Sequence, residues 1–242
     1  MQVTVVIDNF CTNRLLKAEW GYSLYLESEK TRLLLDTGSE AHGFIHNLKA
    51  LKIDPRKIDH IVFSHAHFDH TGGLVDALLL APQARRWGAR SMSKRRWGDA
   101  DHKRSSGGPL FASVLTDPIN SWSQITDEVI AFSVPLEARD PRFVNTKNMW
   151  EETDDGKIIA DTFADDLSLL VKGQNGLNVV LGCAHAGLPN ILRYAQKTFD
   201  VTEFDTVIGG THLSAAKPEE LPLWLDALKQ FPVRRWRPNH CT

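Results

Sequence analysis

A cluster of metal-ligating side chains follows directly after an apolar segment, and it constrains the fold of this chain more than any other feature. Residues 58–64 are mostly apolar and are predicted to form a buried strand. The next residues are His65-Ala66-His67-Phe68-Asp69-His70. Alternate side chains of an extended backbone point the same way, so His65 and His67 could chelate one ion, while the following turn directs Asp69 and His70 toward a second. The cluster therefore predicts a metal site at the end of a strand.

Three further histidines follow other segments with strand character. Residues 177–181 lead into His185, residues 206–208 lead into His212, and His240 lies in the closing segment. Strand ends are rigid platforms that can direct side chains into one shared cleft. The predicted metal site accordingly contains His65, His67, Asp69, His70, His185, His212 and His240. The remaining histidines, at positions 42, 46, 60 and 102, are interpreted as ordinary residues.

The order of the predicted elements indicates the fold class. Strands are predicted at residues 3–7, 22–27, 31–35, 58–64, 129–134, 167–171, 177–181 and 206–208. Helices are predicted at residues 44–51, 74–80, 189–198 and 218–231, and the pairs 22–27/31–35 and 167–171/177–181 are predicted hairpins. Strands cluster before helices in each half, which favours an α+β sandwich of two facing sheets with helices outside. We expect one domain over residues 1–242, with a basic insertion at about 85–125.

Composition excludes several classes of partner. The chain has 242 residues, 42% hydrophobic content and a formal net charge of -2, which gives no reason to expect nucleic acid or a membrane. The three cysteines favour a reducing compartment over a disulfide scaffold. No secretory signal pattern or membrane-spanning apolar run is visible, so a cytoplasmic location is expected.

The histidine cluster, together with Leu33-Leu34-Leu35-Asp36-Thr37-Gly38 upstream, resembles the metallo-β-lactamase superfamily. Three later motifs are similar to the subgroup of dihydropterin ribofuranosyl-aminobenzene phosphate synthase-like metal-dependent hydrolases. These motifs are Gly182-Cys183-Ala184-His185-Ala186-Gly187, Gly209-Gly210-Thr211-His212-Leu213 and His240-Cys241-Thr242, and residues 161–167 also resemble a subgroup pattern. The resemblance implies a four-layer αββα sandwich with metals at one edge of the two sheets.

The resemblance also implies roles for individual residues. His65, His67 and His185 would hold a first metal, and Asp69, His70 and His240 a second. The superfamily often has a bridging aspartate at the end of the strand before the last ligand, but here residues 209–212 contain none. His212 is therefore predicted to be a ligand, a proton donor or a substrate contact, and either one or two divalent ions would bind. The histidine-rich set favours zinc over manganese or iron.

Several neighbouring residues have two interpretations. Asp36 either caps the helix that follows it or orients a ligand histidine, and the resemblance favours the second. Cys183 and Cys241 lie beside predicted ligands and thiolates are good zinc ligands, but strand alternation points Cys183 away from its neighbours, so both are predicted to pack in the interior. Asp165 and Asp166 are predicted to lie on a solvated strand edge, with a role in the pocket as the alternative.

The basic segment at residues 85–104 has three interpretations. It contains eight arginines and lysines together with Trp87 and Trp97. It could form a solvated face, or a lid whose arginines bind a phosphate or carboxylate while a tryptophan stacks on a ring. A nucleic-acid surface is the third interpretation, and the net charge disfavours it.

The predicted function is metal-dependent hydrolysis of a small-molecule substrate, with a phosphorylated or otherwise anionic one favoured. Asp69 would orient the attacking water and His212 would protonate the leaving group. The alternatives are a synthase-like transferase and a non-catalytic metal-binding module. Residues 134–137 depart from the subgroup pattern, which weakens the transferase assignment, and His67 disfavours the diiron redox branch, where a glutamate is expected.

Overall fold

The computed structural model describes residues 1–98, 105–144 and 149–242. His102, Lys103 and Arg104 lie outside the described residues. The helices of the described part are α1 (Ala41–Ala50), α2 (Phe68–Thr71), α3 (Leu74–Leu80), α4 (Leu110–Val114), α5 (Leu188–Phe199) and α6 (Leu221–Leu228). Its strands are β1 (Gln2–Ile7), β2 (Ser23–Glu27), β3 (Arg32–Leu35), β4 (His60–Val62), β5 (Arg85–Ala89), β6 (Arg95–Trp97), β7 (Ser105–Gly107), β8 (Asp117–Ile119), β9 (Trp122–Thr126), β10 (Val129–Ser133), β11 (Trp150–Glu152), β12 (Ile158–Ala160), β13 (Leu167–Gly173), β14 (Gly176–Leu181), β15 (Phe204–Gly210) and β16 (Val233–Asn239).

Two six-stranded sheets form the body of the protein. Their strand orders are β1-β2-β3-β4-β5-β8 and β16-β15-β14-β13-β10-β9. Both predicted hairpins are confirmed, because β2 pairs with β3 and β13 pairs with β14 in antiparallel register. The strands that precede the metal-ligating motifs are parallel to their neighbours: β3 to β4 in the first sheet, and β14 to β15 to β16 in the second. Their carboxyl ends therefore share one edge of each sheet.

The two sheets pack face to face, as predicted. Leu169 and Val171 of β13 belong to the same buried cluster as Leu24 and Leu34 of the first sheet. The intervening Leu170 points the opposite way, into a second buried cluster that includes Ile191 of α5. Alternate residues of a strand occupy opposite faces, so one apolar strand contacts both the facing sheet and the outer helices. Together with α1 and α3 outside the first sheet, this arrangement is the predicted four-layer αββα sandwich.

The predicted insertion at residues 85–125 is too wide. Within it, β5 and β8 pair in parallel as strands of the first sheet, and β9 is a strand of the second sheet. Between β5 and β8, strands β6 and β7 join β11 and β12 in a separate four-stranded sheet of order β12-β11-β6-β7, called the peripheral sheet below. The sequence prediction took the basic composition as the mark of an insertion, although composition does not determine which strands pair.

Among the residues that the structure describes, there is no helix long and apolar enough to cross a membrane.

Candidate metal centre

The predicted ligands converge on one edge of the sandwich. Strand β4 ends three residues before His65, and β14 and β15 end four and two residues before His185 and His212. His240 follows β16 directly. The structure thus brings together residues that are up to 175 positions apart in the sequence, and it does so because the strands that carry them are parallel.

The first group of facing donor atoms belongs to His65, His67 and His185. His65 Nε2 lies 3.1 Å from His67 Nδ1 and 3.3 Å from His185 Nε2. All three side chains are buried, and the three donor atoms lie within 4.8 Å of one another. Nitrogen ligands about 2.0–2.1 Å from a tetrahedral zinc ion are separated by similar distances, so the group fits a single ion.

The second group belongs to Asp69, His70 and His240. His70 Nε2 lies 3.1 Å from His240 Nε2, and Asp69 Oδ2 lies 3.5 Å from His240 Nε2 and 3.8 Å from His70 Nε2. These atoms also lie within 4.8 Å of one another. His240 is held from the other side by Asn9, whose Oδ1 lies 2.9 Å from His240 Nδ1. Its Nε2 atom is therefore directed into the cluster.

Asp36 is fully buried and lies behind the two groups. Its Oδ2 lies 2.7 Å from His70 Nδ1 and accepts a 2.6 Å hydrogen bond from Ser64 Oγ, which in turn lies 2.9 Å from His65 Nδ1. Helix α1 begins after Glu40 rather than at Asp36, so the capping interpretation is wrong. With Nδ1 of His70 and His65 engaged behind the site, their Nε2 atoms face the cluster, which is the arrangement that supporting carboxylates give to ligand histidines.

The pKa values of His65, His185 and Asp69 suit cation binding. Burial, reinforced by the neighbouring rings, holds the pKa values of His65 and His185 well below the usual range for histidine. Burial alone would raise the pKa of the Asp69 carboxyl, but His70 and a hydrogen bond from His240 outweigh it and keep that pKa low. Neutral imidazoles and an ionised carboxylate are the forms that bind metals. The residues present therefore fit one or two divalent ions.

His212 lies beside the first group rather than within it. Its ring centroid is 4.4 Å from that of His185, and it belongs to neither of the two groups of facing donor atoms. Burial lowers the pKa of His212 to about 4, so its ring is neutral at pH 7. His212 therefore lies next to a predicted ligand, and its roles as ligand, proton donor or substrate contact all stay predictions.

The prediction of a solvated edge at Asp165 and Asp166 is wrong, because both side chains are buried. Asp165 accepts a 2.8 Å hydrogen bond from the backbone N–H of Ala66, between two predicted ligands. Asp166 accepts a 2.8 Å hydrogen bond from the N–H of Ala186, next to His185. The two carboxylates thus fix the backbone of both histidine motifs. The signal that could have identified them is the density of aspartates in residues 161–166, directly before an apolar strand.

A fully buried arginine balances this acidic cluster. Arg96, from the basic segment, lies 3.0 Å from Asp165 Oδ1, 3.2 Å from Asp161 Oδ2 and 3.6 Å from Glu151 Oε2. Asp161 also lies 3.8 Å from His67 Nε2. Sequence reasoning missed this role, because an arginine in a basic run is normally solvated. Arg96 belongs to neither a solvated face nor a substrate lid.

Other residues of the basic segment also have structural partners. Trp87 is buried and its Nε1 donates a 3.1 Å hydrogen bond to His60, so it is not available to stack on a substrate. Arg85 forms an ion pair with Asp117, and Arg86 donates to the backbone carbonyl of Val114. The lid interpretation is therefore wrong for these residues.

The two buried cysteines lie within the cluster rather than apart from it. Cys183 Sγ is 3.1 Å from His70 Nε2, and Cys241 Sγ is 3.4 Å from Cys183 Sγ. The packing prediction relied on strand alternation, but β14 ends at Leu181 and Ala184 has a φ of 53°, so the extended geometry does not continue through this segment.

Comparison with known proteins identifies the family. The model of the metallo-beta-lactamase superfamily matches residues 21–148, more than half of the chain. The chain belongs to the metallo-beta-lactamase superfamily. Within this superfamily, the crystal structure of Tm1679, a metal-dependent hydrolase of the beta-lactamase superfamily, superimposes with a TM-score of 0.82 at 27% identity, covering 99% of this chain and 88% of that one.

Two curated proteins of Methanocaldococcus jannaschii are also similar to this superfamily member. The 7,8-dihydropterin-6-methyl-4-(beta-D-ribofuranosyl)-aminobenzene-5'-phosphate synthase is 28% identical over 93% of this chain and 81% of its own length. An uncharacterized protein is 24% identical over 99% of this chain and 90% of its own length. The resemblance drawn from the motifs is confirmed at the level of the superfamily, and the synthase is a relative as the subgroup motifs indicate.

Proposed function

We propose that this metallo-beta-lactamase superfamily member is a metal-dependent hydrolase that binds two divalent ions, preferably zinc. One observation carries the proposal: two adjacent groups of buried donor atoms, each within 4.8 Å, face one another at a single sheet edge. His65, His67 and His185 would hold one ion. Asp69, His70 and His240 would hold the other. The likeness to the hydrolase Tm1679 over 99% of this chain supports the same conclusion.

Divalent ions bound there supply Lewis acidity, which acidifies water and polarises the bond under attack. The protein contributes position and proton handling. Asp69 stays ionised, because its neighbours hold its pKa low, and can accept a hydrogen bond from the attacking water. His212 is neutral at pH 7, since its pKa is lowered to about 4, and can donate an N–H hydrogen bond to the leaving group. Asp36 and Ser64 fix the rings that face the ions.

A small-molecule substrate is supported by the surroundings of the centre. Phe68, between two predicted ligands, is 56% exposed, and Trp20, whose ring lies 6.3 Å from that of His240, is 63% exposed. Both line a groove of about 460 Å³, and Lys17, Glu19 and Glu40 also line it. Exposed aromatic faces in a groove suit a substrate with a planar ring.

A transferase is the second candidate, favoured by the name of the synthase relative from Methanocaldococcus jannaschii. That name includes a pterin and a phosphorylated ribofuranosyl-aminobenzene. A phosphorylated substrate is therefore proposed for either activity, and the two candidates differ in whether water or an organic nucleophile attacks.

The test compares metal content and turnover. Protein purified without added metal is expected to contain divalent transition metal and to hydrolyse generic phosphodiester or lactone substrates. The His65→Ala/His67→Ala variant should lose both properties while keeping its circular dichroism spectrum. His46→Ala is the matched control, because His46 is exposed and contacts only the Leu15 carbonyl among its described hydrogen bonds. Absence of bound metal from the wild type would refute the proposal, and turnover only with a pterin and an aminobenzene co-substrate would favour the transferase.

A further inference from the structure

The second group of donors contains a sulfur atom that the family resemblance does not assign. Cys183 Sγ lies 3.1 Å from His70 Nε2, and that nitrogen also lies 3.1 Å from His240 Nε2. A hydrogen bond between Cys183 and His70 explains one such contact. That hydrogen bond does not explain why the buried thiol lies beside His70 Nε2, which already lies close to His240 Nε2.

The position of Cys183 relative to both groups is the second observation. Its sulfur lies within 4.8 Å of ligating atoms of His65 and His70 in one set, and of His240 and Cys241 in another. His65 belongs to the first predicted metal group, whereas His70 and His240 belong to the second. Cys183 is thus close to both groups at once.

The third observation is a missing ligand. The superfamily's bridging carboxylate would lie at the end of β15, but residues 209–212 contain no aspartate or glutamate. A glycine at position 182 lets Cys183 approach, because a Cβ there would lie 2.2 Å from Ser64 Oγ. The end of β15 lies close to both cysteines, because a Cβ at Gly210 would lie 3.2 Å from Cys183 Cα and 2.8 Å from Cys241 Sγ.

We propose that Cys183 is a sulfur ligand of the second ion, on the side that faces the first, in place of the absent carboxylate. The proposal rests on the proposed function, since it requires the metal sites. As the metal–sulfur bond forms, the S–H bond breaks and its proton passes to the solvent. Cys241, whose thiol lies 3.4 Å from the Cys183 sulfur, donates a hydrogen bond to it and is a positioning residue rather than a ligand.

A thiolate in the site determines which cations it prefers. Sulfur ligands select zinc and other borderline or soft ions over manganese and magnesium. The histidine-rich set alone left manganese and iron open. The second site should therefore retain zinc in competition with a large excess of manganese.

The test uses the full-length protein loaded with cobalt(II) under reducing conditions, or with zinc for X-ray absorption. Wild type is expected to show a sulfur-to-cobalt charge-transfer band in the near ultraviolet, and a zinc–sulfur distance of about 2.3 Å. Cys183→Ser should lose the band, and the cobalt affinity of one of the two sites should fall by at least about tenfold. A loss of that size is typical even for removal of a residue that only supports a ligand. Cys11→Ser, the matched cysteine control outside the cluster, should keep the band.

The wild-type measurement does not depend on whether any variant folds. A cobalt-loaded wild type without sulfur ligation would overturn this inference and leave the proposed function standing. A band that is lost in Cys241→Ser but kept in Cys183→Ser would overturn the assignment to Cys183. A wild type that binds neither cobalt nor zinc would overturn both the inference and the proposed function.

Discussion

Substitution of Arg96 measures how much its buried ion pairs stabilise the fold around the candidate metal centre. Its guanidinium is fully buried and lies 3.0–3.6 Å from carboxylates of Asp165, Asp161 and Glu151. Arg96→Met keeps most of the side-chain volume but leaves these carboxylates without their shared cation. Removing one partner of a buried ion pair costs roughly 3–5 kcal/mol. For a domain of this size, that cost corresponds to a fall in Tm of roughly 6–20 °C.

The matched control is Arg85→Met. Arg85 also forms an ion pair, with Asp117, but its side chain is 55% exposed. Exposed pairs contribute about 0–1 kcal/mol, so this variant should unfold close to the wild-type temperature. Both variants are compared in metal-free form by urea and thermal unfolding. A second change, Asp165→Asn in the Arg96→Met background, should recover part of the loss, because it removes one uncompensated charge. Equal Tm values for Arg96→Met and Arg85→Met would refute the reasoning.

Two further predictions concern the other buried carboxylates. Asp36→Asn should keep the fold but weaken zinc binding about 10–100-fold in chelator competition, because the neutral amide supports His70 less well; unchanged affinity would contradict this role. Burial raises the pKa of Asp166 from 3.8 to about 7, so the folded state holds this proton between those values while the unfolded state does not. The stabilisation from Asp166 is therefore complete below about pH 4 and is lost as the pH rises through about 7, by at most roughly 4 kcal/mol. Asp166→Asn should remove this pH dependence. The free energy of unfolding of the variant minus that of the wild type, measured in urea, should therefore be more positive at pH 8 than at pH 5. An equal difference at both pH values would contradict the prediction.

The sequence predicted the parts of the fold that are encoded locally. The hairpins and the helix at residues 74–80 follow from apolar periodicity, and the histidines were found because each follows a strand closely. Strand β16 was missed because its sequence, Val-Arg-Arg-Trp-Arg-Pro-Asn, has no apolar run. An edge strand can be polar and charged, since only one of its sides is paired.

The errors at the site have a common physical cause. Arg96, Asp165 and Asp166 were interpreted as solvated because isolated charges are rarely buried. Their burial depends on pairing between residues about 70 positions apart, which no local pattern reveals. For Cys183, the alternation rule does not apply, because β14 ends at Leu181 and Ala184 has a positive φ.

The buried ion pairs of Arg96 restrict how this protein can diverge. The peripheral sheet contains β6, which carries Arg96, and β11, which carries Glu151, while Asp161 and Asp165 belong to the segment that supports the histidine motifs. A homologous recombination or loop graft that replaced residues 90–110 would remove the guanidinium that lies 3.0 Å from Asp165 Oδ1. Exchange of that segment would therefore require a simultaneous change in the acidic residues. The peripheral sheet and the sheet edges that carry the histidine motifs are thus expected to be inherited together.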